Sequence, residues 1–71
     1  MANRILVTSS NINSIGYDIS KKTLEIEFKT GKIYFYYTVD EDTYLDLIMS
    51  ASKGKYYNKH IKGLFPSEMK I

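Results

Sequence analysis

Leu24-Glu25-Ile26-Glu27-Phe28-Lys29-Thr30-Gly31-Lys32-Ile33-Tyr34-Phe35-Tyr36-Tyr37-Thr38-Val39 reads as two strands hinged on a glycine. In the first half Leu24, Ile26 and Phe28 alternate with Glu25, Glu27 and Lys29, the period-two pattern of a strand with one apolar and one polar face. The second half is dense in β-branched and aromatic residues, which suit a half-buried pleated surface. Two registers compete. A three-residue loop over 29–31 puts the glycine in the left-handed position and pairs Phe28 with Lys32, so that Ile26 faces Tyr34 and Leu24 faces Tyr36. A two-residue loop of Thr30 and Gly31 slips the pairing by one and turns Ile33, Phe35 and Tyr37 inward. The first is preferred, because it does not ask β-branched Thr30 for a positive φ.

Upstream, Ile15-Gly16-Tyr17-Asp18-Ile19 alternates as well, with Ile15, Tyr17 and Ile19 on one face, and 20–23 is a tight polar turn. Strands over 14–18, 23–29 and 32–38 then form a three-stranded antiparallel meander. After Val39 the period becomes helical. Asp40 suits an N-cap, Glu41 and Asp42 offset the helix dipole, and Val39 can staple against Tyr44. Tyr44, Leu45, Leu47 and Ile48 give this helix its apolar face, ending near Ser50. A second helix starts at Ser52, with Tyr57, Ile61 and Leu64 at helical intervals, Gly63 as its stop and Pro66 barring continuation. Two amphipathic helices covering one sheet face make an α+β domain of order β-β-β-α-α over 9–65. Residues 1–8 and 66–71 read as mobile terminal extensions, with 5–7 left open as an extra edge strand.

A chain of 71 residues is one domain that buries only about 60% of its unfolded surface, so each ring counts. Seven tyrosines and three phenylalanines, with no tryptophan and no cysteine, make tyrosine a main source of apolar area and exclude disulfides and thiolate metal sites. The apolar run Ile5-Leu6-Val7 is far shorter than a signal-peptide core of roughly 7–15 residues, and nothing approaches the ~20 residues of a membrane span. A cytoplasmic protein is expected. Its net charge of +2 is unevenly spread: residues 53–71 carry five lysines against Glu68, while 1–52 carry five basic and seven acidic groups.

Lys55, Lys59 and Lys62 stand at i, i+4 and i+7, opposite Tyr57 and Ile61, and Lys53, Tyr56 and His60 flank them. A lysine stripe beside an aromatic ring answers the backbone phosphates and bases of RNA or single-stranded DNA. The same pattern also describes a solvated helix face that aids solubility. His60 is the single histidine and nothing pairs with it at metal-ligand spacing, so no metal is expected. No nucleophile elbow surrounds Ser9 or Ser10, Glu25 and Glu27 read as the wet side of a strand, and four scattered glycines make no phosphate loop. No enzyme activity and no cofactor are expected. Phe35 and Tyr37 fall on the outer sheet face in the preferred register, where a ring serves as a stacking platform, a protein contact, or a surface covered by the N-terminal segment.

Ser9-Ser10-Asn11-Ile12, Ile15-Gly16-Tyr17-Asp18, Leu24-Glu25-Ile26-Glu27-Phe28, Tyr34-Phe35-Tyr36, Val39, Tyr44 and Ser52-Lys53-Gly54-Lys55-Tyr56-Tyr57-Asn58-Lys59-His60-Ile61 together resemble the KTSC domain in order and spacing. That family is named from the C-terminus of some lysyl-tRNA synthetases, and it also occurs as stand-alone bacterial and phage proteins. Its function is unknown and RNA binding has been suggested. The family's Tyr-x-Tyr matches Tyr34 and Tyr36, which supports turning both inward. Phe35 replaces a usually polar residue, and Asp40 stands where proline is usual. The expectation is an RNA-binding module using Lys53, Lys55, Tyr56, Lys59, His60 and Lys62. The alternative is a protein-interaction or self-associating domain using Phe35 and Tyr37.

Overall fold

The hairpin of residues 24–39 adopts the three-residue loop. The computed structural model describes residues 3–71, so Met1 and Ala2 of the expected N-terminal extension lie outside the described residues. Leu24 pairs with Tyr36 and Ile26 with Tyr34, the Phe28 amide donates to the Lys32 carbonyl at 2.9 Å, and Gly31 takes the positive φ of 92°. The elements are β1 (Ile5–Leu6), β2 (Ile12–Asp18), β3 (Thr23–Phe28), β4 (Ile33–Tyr36), α1 (Glu41–Met49), α2 (Lys53–His60) and β5 (Ser67–Met69). All neighbouring strands run antiparallel in the order β1-β2-β3-β4-β5.

The α+β architecture with two helices stands, but the sheet has five strands, not three, and the helices precede the last strand. Ile5–Leu6 pairs with β2 as an edge strand. At the other end Gly63, with φ of 77°, helps turn the chain back. The Pro66 carbonyl then accepts the Tyr37 amide at 2.8 Å, and Lys70 N–H donates to Ile33 at 2.7 Å. Residues read as a tail thus add to the β4 edge, whose backbone groups would otherwise go unpaired.

Strand β2 starts earlier than alternation suggests because it carries a bulge between Ile12 and Ser14. Asn13 and Ser14 both reach Oε1 of Glu27, at 2.9 and 2.8 Å. Two residues therefore oppose one, which resets the alternation and lets Ile12 and Ile15 both face the core. The strand ends at Asp18, whose carboxylate accepts hydrogen bonds from Ser20 and Lys21. Ile19 lies past that end and is 62% exposed, a departure from its expected inward place.

The core is Ile12, Ile15, Leu24, Ile26, Tyr36, Val39, Leu47, Tyr57 and Ile61. Asp40 occupies the N-cap of α1 but bonds no helix amide; its Oδ1 accepts from Thr43 at 2.6 Å. Tyr44 stacks on Tyr17 with centroids 4.8 Å apart, while the Tyr17 hydroxyl donates to the Val39 carbonyl. Helix α2 ends at His60, so Leu64, expected on its apolar face, lies beyond the helix and is 65% exposed.

The outer sheet face is not the uniformly wet side that Glu25 and Glu27 imply. Glu25 is only 1% exposed, and Arg4 Nη1 lies 2.7 Å from its Oε1. A carboxylate so desolvated requires such a partner. Gly16, paired with Glu25 across the ladder, makes the approach feasible: a Cβ there would lie 2.9 Å from Arg4 Cγ and 3.0 Å from the Asn3 carbonyl oxygen. Gly16→Ala is therefore expected to cost roughly 1–3 kcal/mol by displacing this segment, measured by chemical denaturation. A change under about 0.5 kcal/mol, the size of an ordinary surface substitution, would show that the segment is not seated there.

Candidate nucleic-acid interface

Helix α2 owes its position to Tyr57 and Ile61, which bury one side of it and leave the opposite side in solvent. Lys55, Lys59 and Lys62 are exposed, Lys62 lying in the turn just past the helix. No α2 lysine forms an ion pair with another described residue. Lys53 differs: it is half-buried and its Nζ donates to the Ser50 carbonyl at 3.1 Å. Tyr56 and His60 come together with ring centroids 4.5 Å apart at 32°. Tyr56 is itself half-buried against the core, and burial first, then the charges of Asp46 and Asp40, pushes its phenol above the usual range.

Between α2 and the inner face of β3 and β4 runs an open cleft of about 520 Å³. Four rings from three elements line it: Phe28 of β3, Tyr34 and Tyr36 of β4, and Tyr57 of α2. They meet mostly edge to face, Phe28 with Tyr34 at 5.8 Å and with Tyr57 at 5.3 Å, Tyr36 with Tyr57 at 5.8 Å, as the ring quadrupoles prefer. At the base the Tyr36 and Tyr57 hydroxyls are hydrogen-bonded at 2.6 Å. Burial chiefly, and that bond next, drives the Tyr36 phenol far above its ordinary value. Lys32 from the hairpin and Lys62 from the α2 turn stand at the cleft, with Asn11 and Asn58, and no carboxylate of a described residue lines it.

The structure thus brings one member of the sequence-derived stripe, Lys62, to this cleft, and leaves Lys55 and Lys59 farther along the helix. Three contributors escaped the sequence reading. Tyr34 faces inward as the preferred register requires, but it is only half-buried and opens on the cleft. Phe28 is half-buried for the same reason, and Lys32 gave no signal before the topology set the hairpin loop beside the end of α2. The one hint was ring density, since three aromatics facing a helix of only eight residues are more than it can cover.

Phe35 and Tyr37 lie on the outer side, both half-buried. Lys70 Nζ sits 5.3 Å from the Phe35 ring centroid, and the Tyr37 hydroxyl donates to Glu68 Oε1 at 2.7 Å, which also holds Lys70 at 3.0 Å. That hydrogen bond raises the Tyr37 phenol and lowers the Glu68 carboxyl from their ordinary values. Glu68 of β5 and Lys70 just past it therefore engage these rings. Among the described residues no group of three or more His, Cys, Asp or Glu side chains gathers as a metal set, and no helix is long and apolar enough to cross a membrane.

A five-stranded antiparallel meander with two helices ahead of its last strand, and a basic second helix beside an aromatic cleft, defines a small α+β domain. The chain belongs to the KTSC domain family, whose model matches residues 8–65. The crystal structure of a KTSC domain protein from Yersinia pestis superposes with a TM-score of 0.92 at 37% identity, covering 97% of each chain. A lysine–tRNA ligase of Nostoc punctiforme is 41% identical over 59 residues, which are 83% of this chain and 10% of the ligase. The chain thus spans about a tenth of that enzyme. A protein from Stutzerimonas stutzeri is 34% identical over 59 residues, 83% of both chains.

The buried phenol makes stability depend on alkaline pH. Because Tyr36 holds its proton in the fold to higher pH than in the unfolded chain, the unfolded state binds fewer protons above roughly pH 10, and stability falls as pH rises past that point. Denaturant midpoints between pH 8 and 11 should show this decline, and Tyr36→Phe should lessen its slope. An identical slope in Tyr36→Phe would mean that Tyr36 titrates freely.

Proposed function

We propose that this domain is a non-enzymatic module that binds single-stranded nucleic acid, RNA in the first place. Lys55, Lys59 and Lys62 hold successive phosphates, Lys53 adds to the local field, and the Tyr56–His60 pair flanks the path of the strand. The observation that carries this reading is the row of exposed lysines without ion-pair partners among the described residues, leading to a cleft lined by rings and free of carboxylates. Uncompensated cations beside exposed rings are what a phosphate backbone with unstacked bases requires. A related sequence within a lysine–tRNA ligase, an enzyme named for acting on tRNA, agrees with it. The proposal includes a cytoplasmic location and a bacterial or phage source, in keeping with the bacterial relatives.

Three engaged lysines predict a slope of log affinity against log salt near −2, from about −0.7 per contact on a single strand. Lys59→Ala should make the slope shallower by about 0.7 and weaken different sequences alike, as read by fluorescence anisotropy with labelled RNA at several salt concentrations. Phe35→Ser, on the far face, should leave this binding intact. Absent affinity at low salt, or indifference to Lys55, Lys59 and Lys62, sinks the reading. Concentration-dependent association in sedimentation that Phe35→Ser abolishes would then favour the protein-contact alternative through Phe35 and Tyr37.

A further inference from the structure

We infer that the cleft between β4 and α2 is a pocket for one unpaired nucleobase, whose flanking phosphates are met by Lys32 and Lys62. This rests on the nucleic-acid reading above and adds to it the place where a base is held. The volume of about 520 Å³ falls within the roughly 300–1,000 Å³ of small-ligand sites. Its polar groups are the right kind: Lys32 and Lys62 supply positive charge with no carboxylate of a described residue lining the cleft, Asn58 carries an amide able to donate to and accept from a base edge, and Asn11, whose Oδ1 accepts from Ser9, adds its Nδ2 donors. Tyr34 offers a half-exposed ring whose hydroxyl makes no hydrogen bond to another described residue.

The cleft is preformed rather than collapsible. Its floor is the buried Tyr36–Tyr57 hydroxyl pair, and its walls are the β3–β4 ladder and α2, so a base entering it need not order the site first. By contrast the Tyr56 and His60 rings lie against each other, so a base stacking there competes with an existing contact. Lys62 belongs to both features. A strand that follows Lys55 and Lys59 along α2 therefore arrives at the cleft mouth, with Lys32 on its far side. An acidic peptide would match the charge but has no use for four rings.

The experiment uses hexauridylate carrying one 5-iodouridine, cross-linked by light to the full chain and mapped by mass spectrometry, together with affinities for hexauridylate and for a hexamer of abasic riboses. The expected adduct is on Tyr34 or Phe28, and the abasic strand should bind about tenfold more weakly with a similar salt slope. Tyr34→Leu, which keeps apolar bulk, should lose a similar factor. With Lys32 as a fourth phosphate contact the slope should steepen from near −2 to about −2.8, and Lys32→Gln, an exposed change that spares folding and lies outside the helical stripe, should return it to near −2. Adducts on Tyr56 or His60, with Lys32→Gln and Tyr34→Leu indifferent while Lys59→Ala still weakens binding, would overturn the pocket and spare the nucleic-acid reading. Binding of an octaglutamate peptide, but not of hexauridylate, with the same dependence on Lys32 and Lys62 would overturn both.

Discussion

A slip of one residue at the Gly31 turn would exchange the two faces of the β3–β4 hairpin, and every other feature of the domain depends on its not happening. With the loop at three residues, Tyr34 and Tyr36 project toward the helices and Ile33, Phe35 and Tyr37 away from them. Tyr36 then meets Tyr57 in a buried hydroxyl pair, Phe28 closes on Tyr57 edge to face, and the cleft appears where α2 fails to cover the remaining rings. In the slipped register Tyr36 would lie outside and Tyr57 would have no buried partner for its hydroxyl. An unsatisfied buried hydroxyl costs about 1–3 kcal/mol, a large share of the stability available to so small a domain.

The outer face shows how the remaining charges are disposed. Glu25 is held by Arg4 beneath the N-terminal segment, Glu27 by Asn13 and Ser14, and Glu68 by Tyr37 and Lys70. The hydrogen bonds from Asn13 and Ser14 hold the Glu27 carboxyl below the usual range. Internal partners thus engage the sheet's carboxylates away from the helices, while the lysines of α2 form no ion pair with another described residue. The polarity of the domain follows from this separation: one face engages its own acids, and the other leaves cations and rings exposed.

Much of this arrangement is legible in the residues, and what is not has identifiable causes. Strict alternation through 24–28, one glycine at the turn, and the change of period after Val39 suffice for the hairpin and both helices, and favour one of its two registers without deciding between them. Alternation fails at Ile12, because the bulge at Asn13 breaks the period of two, and at Ile19, because β2 ends one residue before it; helical spacing fails at Leu64, which lies four residues past the end of α2. Strand β5 is hidden in Ser67-Glu68-Met69, three polar or flexible residues whose place is set by the open edge of β4 rather than by their own preference. Glu25 looks solvent-facing until Gly16 is seen to admit Arg4. At the candidate site the lysine stripe is readable from helical spacing, whereas the cleft is not, since Phe28, Lys32, Tyr34 and Lys62 come from four segments that only the topology brings together.

The central claim is that the helix-covered side of this register, not its outer side, is the binding surface. Backbone amide shifts in two-dimensional NMR, followed during titration with short single-stranded RNA at low salt, test it most directly. The account predicts changes clustered at residues 30–36 and 55–63, with little movement at Arg4, Gly16 and Glu68. Changes centred on Phe35's outer neighbours in β5 and on the N-terminal segment, or no changes at saturating RNA, would contradict it.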